Sequence, residues 1–411
     1  MMFNIIILLI LIIISCSIYE NYIKSSIEIN NENRLYNIIS SYERYYEIQG
    51  YGTISPTFPP QKDLSNEEQI RNSEIFINGT NIGFEHKYKF EAIGNYTLIY
   101  KFNQPLTSVA FLFYYCSEII SIDLSHFDSR YINDTRSMFE QCTSLRFINF
   151  TNFKTENVVN MKSMFNYCTS LNSIDLKNFN TKNVIDISEM FFNCKSLTSI
   201  DLTSFETSKV ISMLYLFGYC KSLKSLDLSN FDTSNVIYMA SMFYNCESLE
   251  ILKINNFKTE KIKSMTALFL NCKSLTSLDL SSFNTTNIEN MRFMFQGCLN
   301  LKYLDISNFQ TSKVEDMEYM FADCQTIQFL DLRNFDTSSV TRLSYMFYNC
   351  YNLVALDLSS FVASKKMKNT SNMFNGCKSL KYIDLSNLDL SPDINQNDMF
   401  KGCDANVILK K

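Results

Sequence analysis

Residues 220–245 read CKSLKSLDLSNFDTSNVIYMASMFYN, and two periodicities share this one stretch. Leu226 and Leu228, in S-L-K-S-L-D-L, alternate as the inward side chains of a short strand do. F-D-T-S-N follows, a turn of residues that also cap helix starts. Val236, Met239, Met242, Phe243 and Cys246 then step by 3, 3, 1 and 3, the apolar stripe of two or three helical turns. The expected order is strand, cap, short helix, strand again.

Outward from this copy the cysteines give the period. They fall at 116, 142, 168, 194, 220, 246, 272, 298, 324 and 350, a constant step of 26, then at Cys377 and Cys403. The single 27-residue step places one inserted residue within FVASKKMKNTSNMF. Two phenylalanine series keep the step, one from Phe127 to Phe361 with Leu388 in the next unit, the other from Phe113 to Phe400. The copy at 220–245 carries the L-x-x-L-x-L pattern of leucine-rich repeats at Leu223, Leu226 and Leu228. One copy cannot bury its own apolar face, so neighbours must stack and share a core. The reading is an α/β leucine-rich-repeat solenoid over residues 106–403, with about 11 or 12 rungs of 26 residues, each a short parallel strand plus a short helix. At about 4.8 Å per rung the array runs on the order of 50–60 Å.

A chain that is 46% hydrophobic has ample core for such an array. Its charge of -5, with both signs interspersed, provides no basic field for phosphates, so nucleic acid is not an expected partner. The run MMFNIIILLILIIISC at residues 1–16 is short for a membrane span and reads as a signal-peptide core, assigned to 1–18. With no later span, an extracellular or cell-surface product is expected. Six Asn-x-Ser/Thr triplets (Asn78, Asn95, Asn133, Asn149, Asn284, Asn369) are compatible with export.

Between signal and repeats, residues 19–73 are expected to hold a polar helix, in INNENRLYNIISSYERYYEIQG, and a proline-bearing linker. Residues 74–105 alternate around Asn78-Gly79 and Gly94 and should form a β-hairpin cap on the first rung. Residues 404–411 are a C-terminal tail.

Export favours disulfides, and twelve cysteines in the repeats invite them. Each, however, occupies the same interior slot of its own rung, so neighbours in the file have parallel rather than converging Cα–Cβ vectors. Buried thiols acting as small hydrophobes are the preferred reading. A lone Cys every 26 residues supplies no chelating pair, and no metal or cofactor is expected.

The middle residue of each strand should face solvent. It is Asp123, Asp175, Asp201, Asp227, Asp279, Asp305, Asp331, Asp357 and Asp384, with Asn149 and Lys253 as exceptions. This acidic file could serve a cationic partner or calcium, or it could only keep a long sheet soluble. Two residues earlier a serine pattern is broken by Phe147, Ile251, Tyr303, Phe329, Ala355 and Tyr382. Exposed aromatics there are the better candidate contacts. The candidate face is therefore Phe147, Tyr303, Phe329 and Tyr382 with Asp201, Asp227, Asp279, Asp305 and Asp331.

The unit M-F-x-x-C-x-S-L-x-x-L-D-L-S-x-F-x-T-S-x-V-x-x-M, nearly complete between Met242 and Met265, resembles the BspA-like leucine-rich repeat. That repeat occurs in surface proteins, including mycoplasma-type lipoproteins and surface families of anaerobic protists. The resemblance covers about residues 106–403. It implies a curved solenoid on a cell surface that adheres to proteins or glycans of host cells, matrix or other cells, and it brings no catalytic residues. Ile13-Ile14-Ser15-Cys16 also resembles a bacterial lipobox, which makes Cys16 a candidate lipidation site and the only expected tie to a membrane; an ordinary cleaved signal with an incidental cysteine is the alternative. The only histidines, His86 and His126, sit in no catalytic or ligand motif and are expected at the surface near the first rung. Recognition by the solenoid face leads, a self-associating coat protein comes second, and an enzyme using the Asp file comes last.

Overall fold

The computed structural model describes residues 21–32, 34–44, 66–388, 391–404 and 408–410. The signal segment, Cys16 and the linker around residues 51–65 lie outside them.

From Leu106 onward the chain winds as a repeat solenoid around one continuous core. Strand-forming stretches are short because only three residues per turn line up with both neighbours. They include β9 (Ser225–Asp227), which pairs in parallel with β10 (Ile251–Lys253), β11 (Ser277–Leu278) with β12 (Tyr303–Leu304), and β13 (Ala355–Asp357) with β14 (Tyr382–Asp384). β15 (Ile408–Lys410) extends that last sheet. A second parallel ladder of single bridges runs from Ser108 through Asp134, Asn160, Asp186 and Ser212 to Tyr238, and resumes from Ser264 to Asn395. The period holds through the inserted residue. Val362 keeps the 25-residue bond to Thr337, whereas Met367 closes on Ser364 as Val340 closes on Thr337, so Ala363 is the extra residue.

The helix expected in each repeat is absent, and this corrects the sequence reading. In residues 239–246 the amides of Met242, Tyr244 and Cys246 close three-residue turns onto Met239, Ser241 and Phe243. The amides between them, on Ser241, Phe243 and Asn245, reach the next rung at Thr266, Leu268 and Leu270, at 2.9, 3.1 and 2.7 Å. A helix would keep all these bonds inside the segment and leave the neighbour nothing to pair with. The turns require a left-handed residue twice per rung, here Ser241 (φ 57°) and Asn245 (φ 58°). Apolar steps of 3, 3, 1 and 3 suit either backbone, which is why the stripe alone misleads.

The residue before each cysteine relieves this strain. It is Asn193, Asn245, Asn271, Gly297, Asp323, Asn349, Gly376 or Gly402 in eight rungs, the residue types that adopt positive φ most readily. Gly297 (φ 71°) also lies so close to the Asn271 side chain that a Cβ would strike its Oδ1.

Two ladders stiffen the interior. The Met-Phe phenylalanines stack rung on rung, from Phe113 on Phe139 at 5.9 Å to Phe374 on Phe400 at 5.3 Å, each contact adding on the order of 0.5–1.5 kcal/mol beyond burial. The threonine of the F-x-T turn, read above as a cap, is instead buried. Thr259 Oγ1 donates to the Asn284 carbonyl at 2.7 Å and accepts the Asn284 amide at 2.8 Å, and the same pair of bonds recurs at Thr155, Thr181, Thr233, Thr285, Thr311 and Thr337. One hydroxyl thus satisfies both peptide groups of the following rung.

The N-terminal region also differs from expectation. Much of the stretch expected as a polar helix is extended, with β1 (Tyr22–Ile29) and β2 (Leu35–Asn37); residues 42–44 are helical, and 45–50 lie outside the described residues. In YIKSSIEI the alternate residues Ile23, Ser25, Ile27 and Ile29 are buried, a period of two. The hairpin of β3 (Ser73–Ile77) and β4 (Thr80–Gly83) is present, and a short helix, α1 (Glu67–Arg71), precedes it. β5 (Lys87–Lys89) pairs with β2. β1, β3 and β4, joined to β6 (Gly94–Phe102), β7 (Ile119–Asp123) and β8 (Phe147–Asn149), form one six-stranded sheet in the order β4-β3-β6-β1-β7-β8, and β2 with β5 forms a separate two-stranded one. β1 runs antiparallel to β7, the strand of the first rung, so the cap closes the open edge with main-chain bonds as well as apolar cover.

Thr259→Val should lower stability by about 2 kcal/mol or more, since it leaves a buried amide and carbonyl unpaired, while Thr259→Ser should cost far less; denaturant midpoints of the two variants measure this. Gly297→Ala should destabilise by about 1–3 kcal/mol in the same assay.

Candidate functional site

The exposed side of the strand ladder is built from two columns. At the Asp position Oδ1 accepts the amide two residues on: Thr203 N for Asp201 at 3.0 Å, Ser281 N for Asp279 at 3.1 Å, Ser307 N for Asp305 at 3.0 Å. The hydroxyls of Thr203, Ser281 and Ser307 donate to the same oxygens at 2.7 Å. The Asp therefore ends its strand with a turn, a structural duty that Asn149 performs equally well toward Thr151 N at 3.0 Å. Hydrogen bonds from the Thr203 amide and hydroxyl hold Asp201 below the usual carboxylate range, and those from the hydroxyl and amide of Ser281 and of Ser307 do the same for Asp279 and Asp305.

Cations of the chain itself join the file at some rungs. Lys253 Nζ donates to Asp227 Oδ2 at 2.7 Å from one rung away, Arg333 grips Asp331 with Nε and Nη2 at 2.9 and 2.6 Å, and Lys410 reaches Asp384 at 2.8 Å. With Lys253 and Ser229 donating, Asp227 is lowered to about 2, as is Asp331 through Arg333. Asp384, expected at the surface, is covered by the last strand and Lys410. Among the described residues no cation pairs with Asp201, Asp279 or Asp305, and no three His, Cys, Asp or Glu side chains converge as metal ligands.

The second column carries the aromatics. Tyr303 is 76% exposed, Phe329 67%, Phe147 61% and Tyr382 37%. Register brings them together unevenly. Tyr303 lies beside Ser277, Phe329 beside Ala355 and Ala355 beside Tyr382, so Tyr303, Phe329 and Tyr382 occupy the last rungs, whereas Phe147 stands alone near the cap beside Ser121. Ile251 is exposed between the two groups.

Another set of aromatics escaped the sequence reading. Phe293, Tyr319 and Tyr345, two residues before the Met-Phe phenylalanines, climb the turn edge half-buried, Tyr319 flat on Tyr345 at 4.4 Å and Phe293 under the Arg292 guanidinium at 4.4 Å. All three take positive φ, a costly conformation for bulky residues, and their column position was the signal that marked them.

Inside, Cys116 to Cys377 are free and buried, and Cys403 is half-buried. From Cys142 onward each thiol donates to the carbonyl of the phenylalanine in the preceding rung at 3.1–3.2 Å, for example Cys272 to Phe243 and Cys298 to Phe269. Burial pushes the thiols up, to about 12 at Cys194, Cys246 and Cys298. Burial thus favours the protonated thiol along the file.

The histidines divide. His126 is exposed and stacks on Tyr22 at 4.7 Å, but His86 is half-buried, its Nε2 3.0 Å from Glu67 Oε1. Burial acts to raise Glu67; the bonds from His86 and Ser41 and the nearby cationic charge outweigh it and leave Glu67 at about 2. This pair ties α1 to the cap.

Three overlapping segments, 107–226, 212–329 and 298–409, match the family model described as "Mycoplasma protein of unknown function, DUF285". The chain belongs to this family. As a DUF285 protein it has that repeat along nearly the whole solenoid. No curated protein matches it. Among solved structures it is similar to a leucine-rich repeat protein from Eubacterium ventriosum, at 15% identity and a TM-score of 0.32 over 64% of this chain and 78% of that one. It is also similar to the Drosophila Toll–Spatzle complex, at 14% identity and a TM-score of 0.28 over 68% of this chain and 49% of that one. No helix among the described residues is long and apolar enough to cross a membrane.

In the native DUF285 array at mild alkaline pH, alkylating reagents should leave the buried cysteines 116 to 377 unmodified and label them all once denaturant is added, with Cys403 reacting earliest. Peptide mapping by mass spectrometry reads the order.

Proposed function

We propose that this chain is a non-catalytic recognition protein of the cell surface or exterior, binding proteins or glycans of other cells or of a matrix through the strand face of its solenoid. The observation that carries this reading is the exposure of Tyr303, Phe329 and Tyr382 in a column where serine is the commonest residue. Large apolar groups in water oppose solubility and make effective contact anchors. The rungs beneath them are fixed by main-chain and thiol ladders, so the anchors are pre-organised and lose little freedom on binding. The Asp file favours binding over catalysis, because each Oδ1 is already engaged in a turn. Lipidation at Cys16 would supply the anchorage and belongs to the same proposal.

A variant with Tyr303→Ser, Phe329→Ser and Tyr382→Ser restores the commoner residue and should keep the native fold. Tested by surface plasmon resonance against matrix proteins and a glycan panel, any ligand held by the unmodified chain should bind it at least about tenfold more weakly. Unchanged affinity would rule out this face. Reversible self-assembly of the unmodified chain in sedimentation runs, lost in the variant, would favour the coat-protein alternative.

A further inference from the structure

Resting on the strand-face reading, we propose the chemistry of its partner: an extended protein segment bearing lysine or arginine, seated across Asp279, Asp305, Tyr303 and Phe329. The array already neutralises part of its own carboxylate file. Asp175, Asp227, Asp331 and Asp384 each have a Lys or Arg of this chain within 3.0 Å. Lys253 shows the geometry, an ammonium arriving from the adjacent rung onto Oδ2 of Asp227 while Oδ1 keeps its turn. Asp279 and Asp305 stand on successive rungs, about 4.8 Å apart by sheet spacing, and have no such cation among the described residues. Their neighbours worsen the position, since Asp279 feels the charge of Asp305 and Asp305 that of Asp331. A cation supplied from outside would relieve both.

The Asp305 rung and the one after it present the most exposed rings of the face. Tyr303 precedes Asp305 by two residues in its strand, and Phe329 is at the equivalent position of the next rung. A lysine or arginine side chain matches this pairing, with its methylenes over a ring and its charge on the carboxylate, a combination of cation–π and ionic contact. A neutral sugar would use the rings but leave the two charges uncompensated, so the basic segment is the better fit.

The test uses the full chain with fluorescein-labelled octalysine as probe, read by fluorescence polarisation. Octalysine should bind, more weakly as salt rises, and its fully Nε-acetylated form should not. Asp279→Asn with Asp305→Asn keeps the turn acceptors, as Asn149 does naturally, and should weaken octalysine binding at least about fivefold. Glu260→Gln with Glu315→Gln removes the same charge from exposed positions off this face and should change it little. Tyr303→Ser with Phe329→Ser should also weaken it, and protection of the buried thiols verifies folding of every variant. Equal binding by the Asn pair, equal losses from the Gln pair, or binding of the acetylated probe would each overturn the proposal. If the aromatic variants lose a ligand found in the broader screen while the Asn pair does not, the strand-face reading survives and the basic partner falls.

Discussion

A coil of 26 residues without helices must find a partner for every buried peptide group, and it finds most of them one rung away. That requirement explains the backbone. Amides alternate between closing their own turn and crossing to the neighbour, so a rung is complete only when stacked, and the left-handed residues exist to aim the crossing amides. Thr259 and its equivalents serve the same end with side chains, and the cysteine thiols add a third transverse bond. Apolar burial supplies the driving force, but it is the transverse bonding that fixes register.

The thiol ladder shows why cysteine suits its slot. The Phe243 carbonyl accepts the Cys246 amide within its rung and the Cys272 thiol from the next, using both lone pairs. Serine at that position would bring a stronger hydrogen bond and a heavier desolvation cost, and alanine would leave a gap and one bond fewer. A disulfide between neighbours would consume the hydrogens that make the bonds. The requirement for a reduced thiol is thus local and geometric.

Much of this was legible in the sequence, and the exceptions have physical causes. Period, core residues, the acidic file and the aromatic breaks all follow from a constant step, because translation along a solenoid preserves each residue's environment. The helix did not, because Val236, Met239, Met242, Phe243 and Cys246 mark a buried face without saying which backbone presents it. The Asn, Asp or Gly ahead of the cysteine did not discriminate either, since a short helix also ends on such a left-handed residue; the second left-handed position, Ser241 and its equivalents, carries no residue type that marks it. Thr233 looked like a cap because a short hydroxyl after Phe-Asp serves either purpose until its neighbour's position is known. In the cap, YIKSSIEI alternates plainly, yet its pairing with Leu98 and Tyr100 depends on contacts about 75 residues away.

The division of labour on the strand face follows from the same stacking. The Asp column is constrained because every rung needs its turn closed, which only Asp or Asn does well among these residues; Lys253 is tolerated by donating to Asp227 instead. The column two residues earlier has no such duty, since its backbone is paired and its side chain meets only water, and there serine gives way to Ile251, Tyr303, Phe329 and Tyr382. A change in that column leaves the ladder intact, so chemistry can vary there at little structural cost. The recognition proposed for this face therefore rests on a column where the fold makes no demand, at the rungs where it meets carboxylates that no cation among the described residues neutralises.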